Sequence, residues 1–207
     1  MTLLRLAGGI GLIFALSIST PVLAVDVYTN EGDFIAAAGA HDLETFEATP
    51  LGDYGTATTF GPLTFDSSPS SPIGIVTFGS FGAHNTTPGG ERFLESTSSP
   101  GFHDPMLMGH VGGTLGAWGA NFTDLDFGTI NFFVDDVLVH SPDPGADGNT
   151  MFVGFVGEFE EVRLEVNDNT YGIDDVRTSL GDVNTPPDCS EASADPNELW
   201  PPNHHFD

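Results

Sequence analysis

The chain has 207 residues, and 30 acidic side chains against four arginines and no lysine give it a formal charge of −26. A field of that sign repels nucleic acid and anionic membrane surfaces and draws cations, so nucleic-acid binding is excluded as a working function. The single cysteine, Cys189, cannot staple a domain, whereas 17 phenylalanines supply a substantial core.

Residues 1–24 read as a secretory signal peptide. Arg5 is followed by an apolar run from Ala7 to Ile18, and the small residues Val22 and Ala24 precede a cut after Ala24. Ser17, Ser19, Thr20 and Pro21 end that run short of the roughly 20 apolar residues that a membrane span requires. The mature chain is therefore expected to be secreted or at the cell surface, with no membrane span. In that compartment a lone thiol implies either a partner outside this sequence or a free thiol.

Val25-Asp26-Val27-Tyr28 alternates like a short strand. Asn30 then caps a helix of about two turns, with Asp33 at its positive end, Phe34, Ile35 and Ala38 as its apolar face, and Gly39 as its stop. From Asp42 onward, Gly, Pro, Ser and Thr cut short apolar runs about every ten residues, the pattern of a sandwich or barrel. Strands are expected at Leu43–Glu47, Thr56–Phe60, Leu63–Phe65, Gly74–Phe78, Arg92–Glu95, Pro105–Met108, Leu115–Phe122, Thr129–Val134, Val137–His140, Met151–Phe155, Val162–Val166 and Tyr171–Thr178. So many strands exceed one sheet, and two packed sheets follow.

Trp118 shares a face with Ala120 and Phe122, which places it in the core and not on the surface as a sugar platform. Asp135-Asp136 reads as a tight turn without the usual glycine. Asn167-Asp168-Asn169 similarly reads as the turn of a hairpin joining Glu161–Val166 to Tyr171–Val176. Ser67–Pro72, Phe81–Gly90, Ser96–Pro105 and Ser141–Asn149 are expected as rim loops. Asp143 and Asp147 of the last one lack the spacing of an EF-hand, so a solvated turn is the simpler reading. Past Thr178 the composition turns to Asp, Asn, Pro and Ser, which sets a domain at 25–180 and a disordered linker from Gly181.

From Val25 to Thr178 the chain resembles the exported β-sandwich domains of bacterial proteins that carry a PEP-CTERM sorting tail. The resemblance rests on the helix around Phe34–Ala38, Thr45-Phe46-Glu47, Gly61-Pro62-Leu63-Thr64-Phe65, Gly116–Phe122, Phe152–Phe155 and Tyr171-Gly172-Ile173-Asp174-Asp175-Val176. It implies an all-β, jelly-roll-like sandwich of two antiparallel sheets with one short N-terminal helix, similar in outline to carbohydrate-binding modules. Pro186-Pro187-Asp188-Cys189-Ser190 and Leu199-Trp200-Pro201-Pro202-Asn203-His204 resemble the opening of an Ig-like module of bacterial surface proteins, which implies a longer parent protein.

In carbohydrate-binding-like jelly rolls a structural calcium takes a Glu from an early strand and an Asp from the last. That resemblance carries over to Glu47, Asp174 and Asp175 as candidate metal ligands, and to Ca2+ as the cofactor. Strict alternation would send Asp174 and Asp175 to opposite faces, so one of them at most joins any one site. His103, His110, His204 and His205 lack zinc-ligand spacing, and neither a His-Glu-x-x-His nor a Gly-x-Ser-x-Gly run occurs. The sequence therefore offers no catalytic constellation, while a carboxylate pair for glycoside hydrolysis stays open because its separation is spatial and not sequential. The expected function is a non-catalytic binding or adhesion module of a larger bacterial protein, with an extracellular glycan or a surface protein as partner. An accessory domain of an extracellular hydrolase, or a structural spacer, is the alternative.

Overall fold

The computed structural model describes residues 25–69, 71–79, 84–87, 90–96, 104–125, 129–143, 149–166 and 171–181. The signal segment, Cys189, His103, His204, His205, Asp147 and the Asn167–Asn169 turn lie outside the described residues.

In chain order the elements are β1 (Asp26–Tyr28), α1 (Glu31–Ala38), β2 (Asp42–Glu44), β3 (Gly52–Gly55), β4 (Ala57–Phe60), β5 (Leu63–Asp66), β6 (Ile73–Val76), β7 (Phe93–Ser96), β8 (Asp104–His110), β9 (Leu115–Leu125), β10 (Ile130–Val134), β11 (Val137–His140), β12 (Asn149–Phe159), β13 (Val162–Val166) and β14 (Tyr171–Leu180). An eight-stranded sheet runs β1-β12-β9-β14-β7-β6-β3, with β2 also paired to β14. A six-stranded sheet runs β11-β10-β13-β8-β5-β4. Every pairing is antiparallel. The expected two-sheet antiparallel sandwich with one short helix is the observed architecture.

Two-residue periodicity builds the interior. In β13, Val162, Leu164 and Val166 are buried while Arg163 and Glu165 are not; in β10, Ile130, Phe132 and Val134 are buried in the same way. The apolar halves of the two sheets meet ring to ring. Phe132 of the six-stranded sheet lies 5.2 Å from Phe122 and 5.8 Å from Phe155 of the eight-stranded one, and Trp118 stacks on Phe155 at 6.1 Å. Trp118 is fully buried, as its register with Ala120 and Phe122 predicts.

The helix forms where its cap residues require it. Asn30 Oδ1 accepts from the Asp33 N–H at 3.0 Å, and Gly39, at φ 69°, ends the helix by donating to the Ile35 carbonyl. Its apolar face is narrower than expected: Phe34 is buried and Ile35 is 37% exposed. Phe34 packs on Phe152 at 5.3 Å, on the outer side of the eight-stranded sheet.

Two further expectations are corrected. Residues Glu161–Val166 and Tyr171–Val176 do not form a hairpin, because β13 pairs with β10 and β8 while β14 pairs with β9, β7 and β2. The chain crosses between sheets there, since both strands already have partners on each side. The strand at Gly52–Gly55 went unrecognised, for its Gly-Asp-Tyr-Gly composition carries a turn signal. The Asp135-Asp136 turn is as expected. Both residues are left-handed, at φ 46° and 64°, and Asp135 Oδ1 accepts from the Glu160 and Glu161 N–H groups.

Candidate functional site

The acidic strand end on β14 is where the sheet changes partners. On one side β14 pairs with β7 through Tyr171–Ile173 and then with β2 through Val176–Thr178, so Asp174 and Asp175 face the gap between those two strands. On its other side the register against β9 slips by one residue between Asp174 and Arg177, and Asp175 is left-handed at φ 51°. This is a β-bulge, and it changes which way the carboxylates point. Ile173 and Val176 both belong to the core, so the two aspartates between them turn outward together. The expectation that alternation separates Asp174 from Asp175 fails here because the bulge inserts the extra residue.

Both carboxyls are nonetheless buried, Asp174 at 0% and Asp175 at 6% exposure. The cover is the segment His84–Thr87. Asn85 Nδ2 donates to Asp174 Oδ2 at 2.9 Å, the Thr87 hydroxyl donates to the same oxygen at 2.6 Å, and the Asp175 N–H donates to Asp174 Oδ1 at 2.7 Å. Thr123 Oγ1 accepts from the Thr86 N–H at 2.8 Å and donates to the His84 carbonyl at 2.8 Å, which fastens the segment to β9. Asp175 is served by Asn121 Nδ2 at 3.4 Å. Burial pushes the Asp174 carboxyl above the usual aspartate range, against the pull of its Thr87, Asn85 and Asp175 hydrogen bonds.

Glu47 belongs to the same corner but plays another part. Its Oε1 accepts from the backbone N–H groups of Glu91 and Arg92, at 2.8 and 2.6 Å, and its carbonyl, with that of Thr49, accepts from Arg92 Nη1. It holds down the far end of the segment whose near end covers Asp174. Asn85 joins the two ends, since its amide also donates to the carbonyls of Gly90 and Arg92, at 3.3 and 3.4 Å. The oxygens around that amide are Asp174 Oδ2 and two carbonyls, a donor set of the hard type that calcium takes. Among the described residues, no group of three or more His, Cys, Asp or Glu side chains is arranged to hold a metal.

The second candidate was not legible as a site in the sequence. The outer side of the six-stranded sheet carries a groove of about 570 Å3, in the size range of ligand sites. Thr59 of β4 pairs with Thr64 of β5, and Thr64 with Gly109 of β8, so two hydroxyls and a missing side chain lie in one row across the strands. The next row is Ala57, Asp66 and Leu107. His110 closes one side, with its Nδ1 accepting from the Gly112 N–H at 2.8 Å, and Glu160 and Glu161 close another. Beyond Leu107 its register partner Arg163 lies over the Phe133 ring at 3.9 Å and pairs with Asp136 and Glu165. The only sequence signal for this face is the Thr/Asp/Gly content of the alternate positions, which is common to any wet sheet.

No family model and no curated protein sequence matches the chain. Among solved structures it is similar to a family 29 carbohydrate-binding module from Piromyces equi, at 9% identity and a TM-score of 0.43, over 69% of this chain and 91% of that one. Variants of a second family 29 module, made to probe ligand recognition, match at 13% identity and a TM-score of 0.29, over 69% of this chain and 94% of theirs.

Proposed function

We propose that the protein is a non-catalytic, extracellular binding module that lays a carbohydrate chain along the groove of the six-stranded sheet. The observation that carries this reading is the open, shallow trough between β4, β5 and β8, lined by paired threonine hydroxyls, a carboxylate and an imidazole over an Ala57–Leu107 floor. Sugars present hydroxyls at their rims and C–H groups on their faces, and this lining offers a partner to each. Export by the N-terminal segment and membership of a longer bacterial surface protein complete the reading. Calorimetry of the purified chain against neutral and charged oligosaccharides tests it: saturable heat without turnover is expected, and released sugar would instead identify an accessory hydrolase domain.

In the same reading a calcium ion strengthens the corner built by Asp174, Asn85 and the carbonyls of Gly90 and Arg92. The support is the convergence of three oxygens, Asp174 Oδ2 and the Gly90 and Arg92 carbonyls, on the point that the Asn85 amide nitrogen occupies, and the burial of a carboxylate with no cationic partner among the interactions described for it. Asp175 stands beside it on Asn121, and Glu47 tethers the segment from the other end without entering the set. Melting in calcium against EDTA tests the ion. A ligand that binds only the native state must raise Tm, so an unchanged Tm would remove it.

A further inference from the structure

We infer that the glycan taken by the groove is a cationic one, a polymer of amino sugars with free amines; this rests on the carbohydrate reading above. Three carboxylates rim the groove: Asp66, Glu160 and Glu161. The Asp135-Asp136 turn crowds them further, because Asp135 Oδ1 is bonded to the N–H groups of both glutamates. Burial first, and then the charges of Asp136, Asp135 and Glu160, hold the Glu161 carboxyl above its usual range despite Arg163. Such a group gains from any cation brought beside it.

Among the described residues, no arginine supplies that cation. Each of the three arginines among the described residues is committed elsewhere: Arg92 to the Glu47 and Thr49 carbonyls, Arg177 to Glu31 and the Asp175 carbonyl, and Arg163 to Phe133, Asp136 and Glu165. Arg163, the arginine beside the groove, is therefore already neutralised by two carboxylates, and no lysine exists in the chain. A neutral sugar would offer these carboxylates hydroxyl donors but no counter-charge, and an anionic one would be repelled. An amine-bearing sugar satisfies charge and hydroxyl partners together, with Thr59 and Thr64 beside the acids.

The test is calorimetry of the full chain at mildly acidic pH and low salt with four probes: glucosamine oligomers bearing free amines, their N-acetylated counterparts, neutral gluco-oligosaccharides and oligolysine. Tightest binding to the free-amine oligomer is expected, weakened roughly fivefold or more in the double variant D66N/E160Q, whose exposed positions spare the fold. Equal or tighter binding of the acetylated or neutral sugars, or no loss in that variant, overturns the cationic assignment while leaving the carbohydrate reading standing. Oligolysine binding as tightly as the amino sugar also overturns it, because charge without sugar would then suffice. Failure of every oligosaccharide removes both readings. Gly109→Val, which fills the groove floor, must abolish whatever binding is seen, and retained binding would take the site away from this face.

Discussion

The two sheets share one core yet treat their outer faces differently. The outer face of the eight-stranded sheet is covered twice, by α1 seated on Phe152 and by the His84–Thr87 segment fastened to Thr123 and Asp174. Among the described residues the outer face of the six-stranded sheet has no such cover, and it carries the groove. A covered face contributes packing and tolerates no added atoms, whereas an open one is free to exchange water for a ligand. On the proposed reading, stability and recognition are divided between opposite sides of the molecule, and substitutions sort by side.

The largest expected effect removes the anchor of the covered side. Phe34→Ala should cost about 3–5 kcal/mol by denaturant melting, because the ring is fully buried and supplies most of what holds α1 down. Next is Gly154→Ala. A Cβ there would lie 2.5 Å from Phe34 Cδ2 and 3.0 Å from Phe152 Cε1, so overpacking of about 1–3 kcal/mol is expected. The two substitutions together should cost less than their sum, since the clash needs the ring; strict additivity would mean that Phe34 is not what Gly154 makes room for.

The covered side also carries a pH response of its own. The folded Asp174 carboxyl binds its proton more readily than the unfolded one, whose ordinary value is 3.8. Stability therefore rises as pH falls through the raised folded value, and the gain is complete once the ordinary value is passed; at neutral pH it is absent. Asp174→Asn should flatten this rise relative to the wild-type curve. Calcium should flatten it as well, by holding the carboxylate ionised in the fold. Parallel pH–stability curves for wild type and variant would show that Asp174 does not titrate differently on folding.

How much of this was legible beforehand follows from what sequence patterns encode. Alternation located most strands and the burial of Trp118, because a half-wet sheet must alternate. The early strand and the last, which the resemblance tied through Glu47 and Asp174, do lie side by side, with Glu44 opposite Val176. What escaped were departures from alternation and long-range choices of partner. The bulge at Asp174-Asp175 is set by the slip against β9, which no local pattern records. The crossover after Val166 is set by competition among strands for edges, although its local residues favour a hairpin. The carboxylates Glu47, Asp174 and Asp175 do gather in one corner, but Glu47 serves as a backbone tether. The groove was missed because it is built from the polar halves of three strands distant in sequence.

The smallest effect on stability is the sharpest test of the division. Gly109 lies on the open side, and a Cβ placed there meets Thr64 Oγ1 at 3.0 Å and the Glu160 carbonyl at 3.6 Å, neither of them core atoms. The near contact is a hydroxyl that can turn aside, so Gly109→Ala should change stability by no more than about 0.5 kcal/mol, within the range of ordinary surface substitutions. The same atom added at Gly154 costs several times as much, although both glycines sit within strands. Binding should show the reverse order: Gly109→Ala narrows the trough between Thr64 and Glu160 and weakens the ligand, while Gly154→Ala leaves the groove untouched and the affinity with it. If Gly154→Ala lowers affinity in the folded protein as much as Gly109→Ala does, the two faces are coupled and the division of labour is wrong.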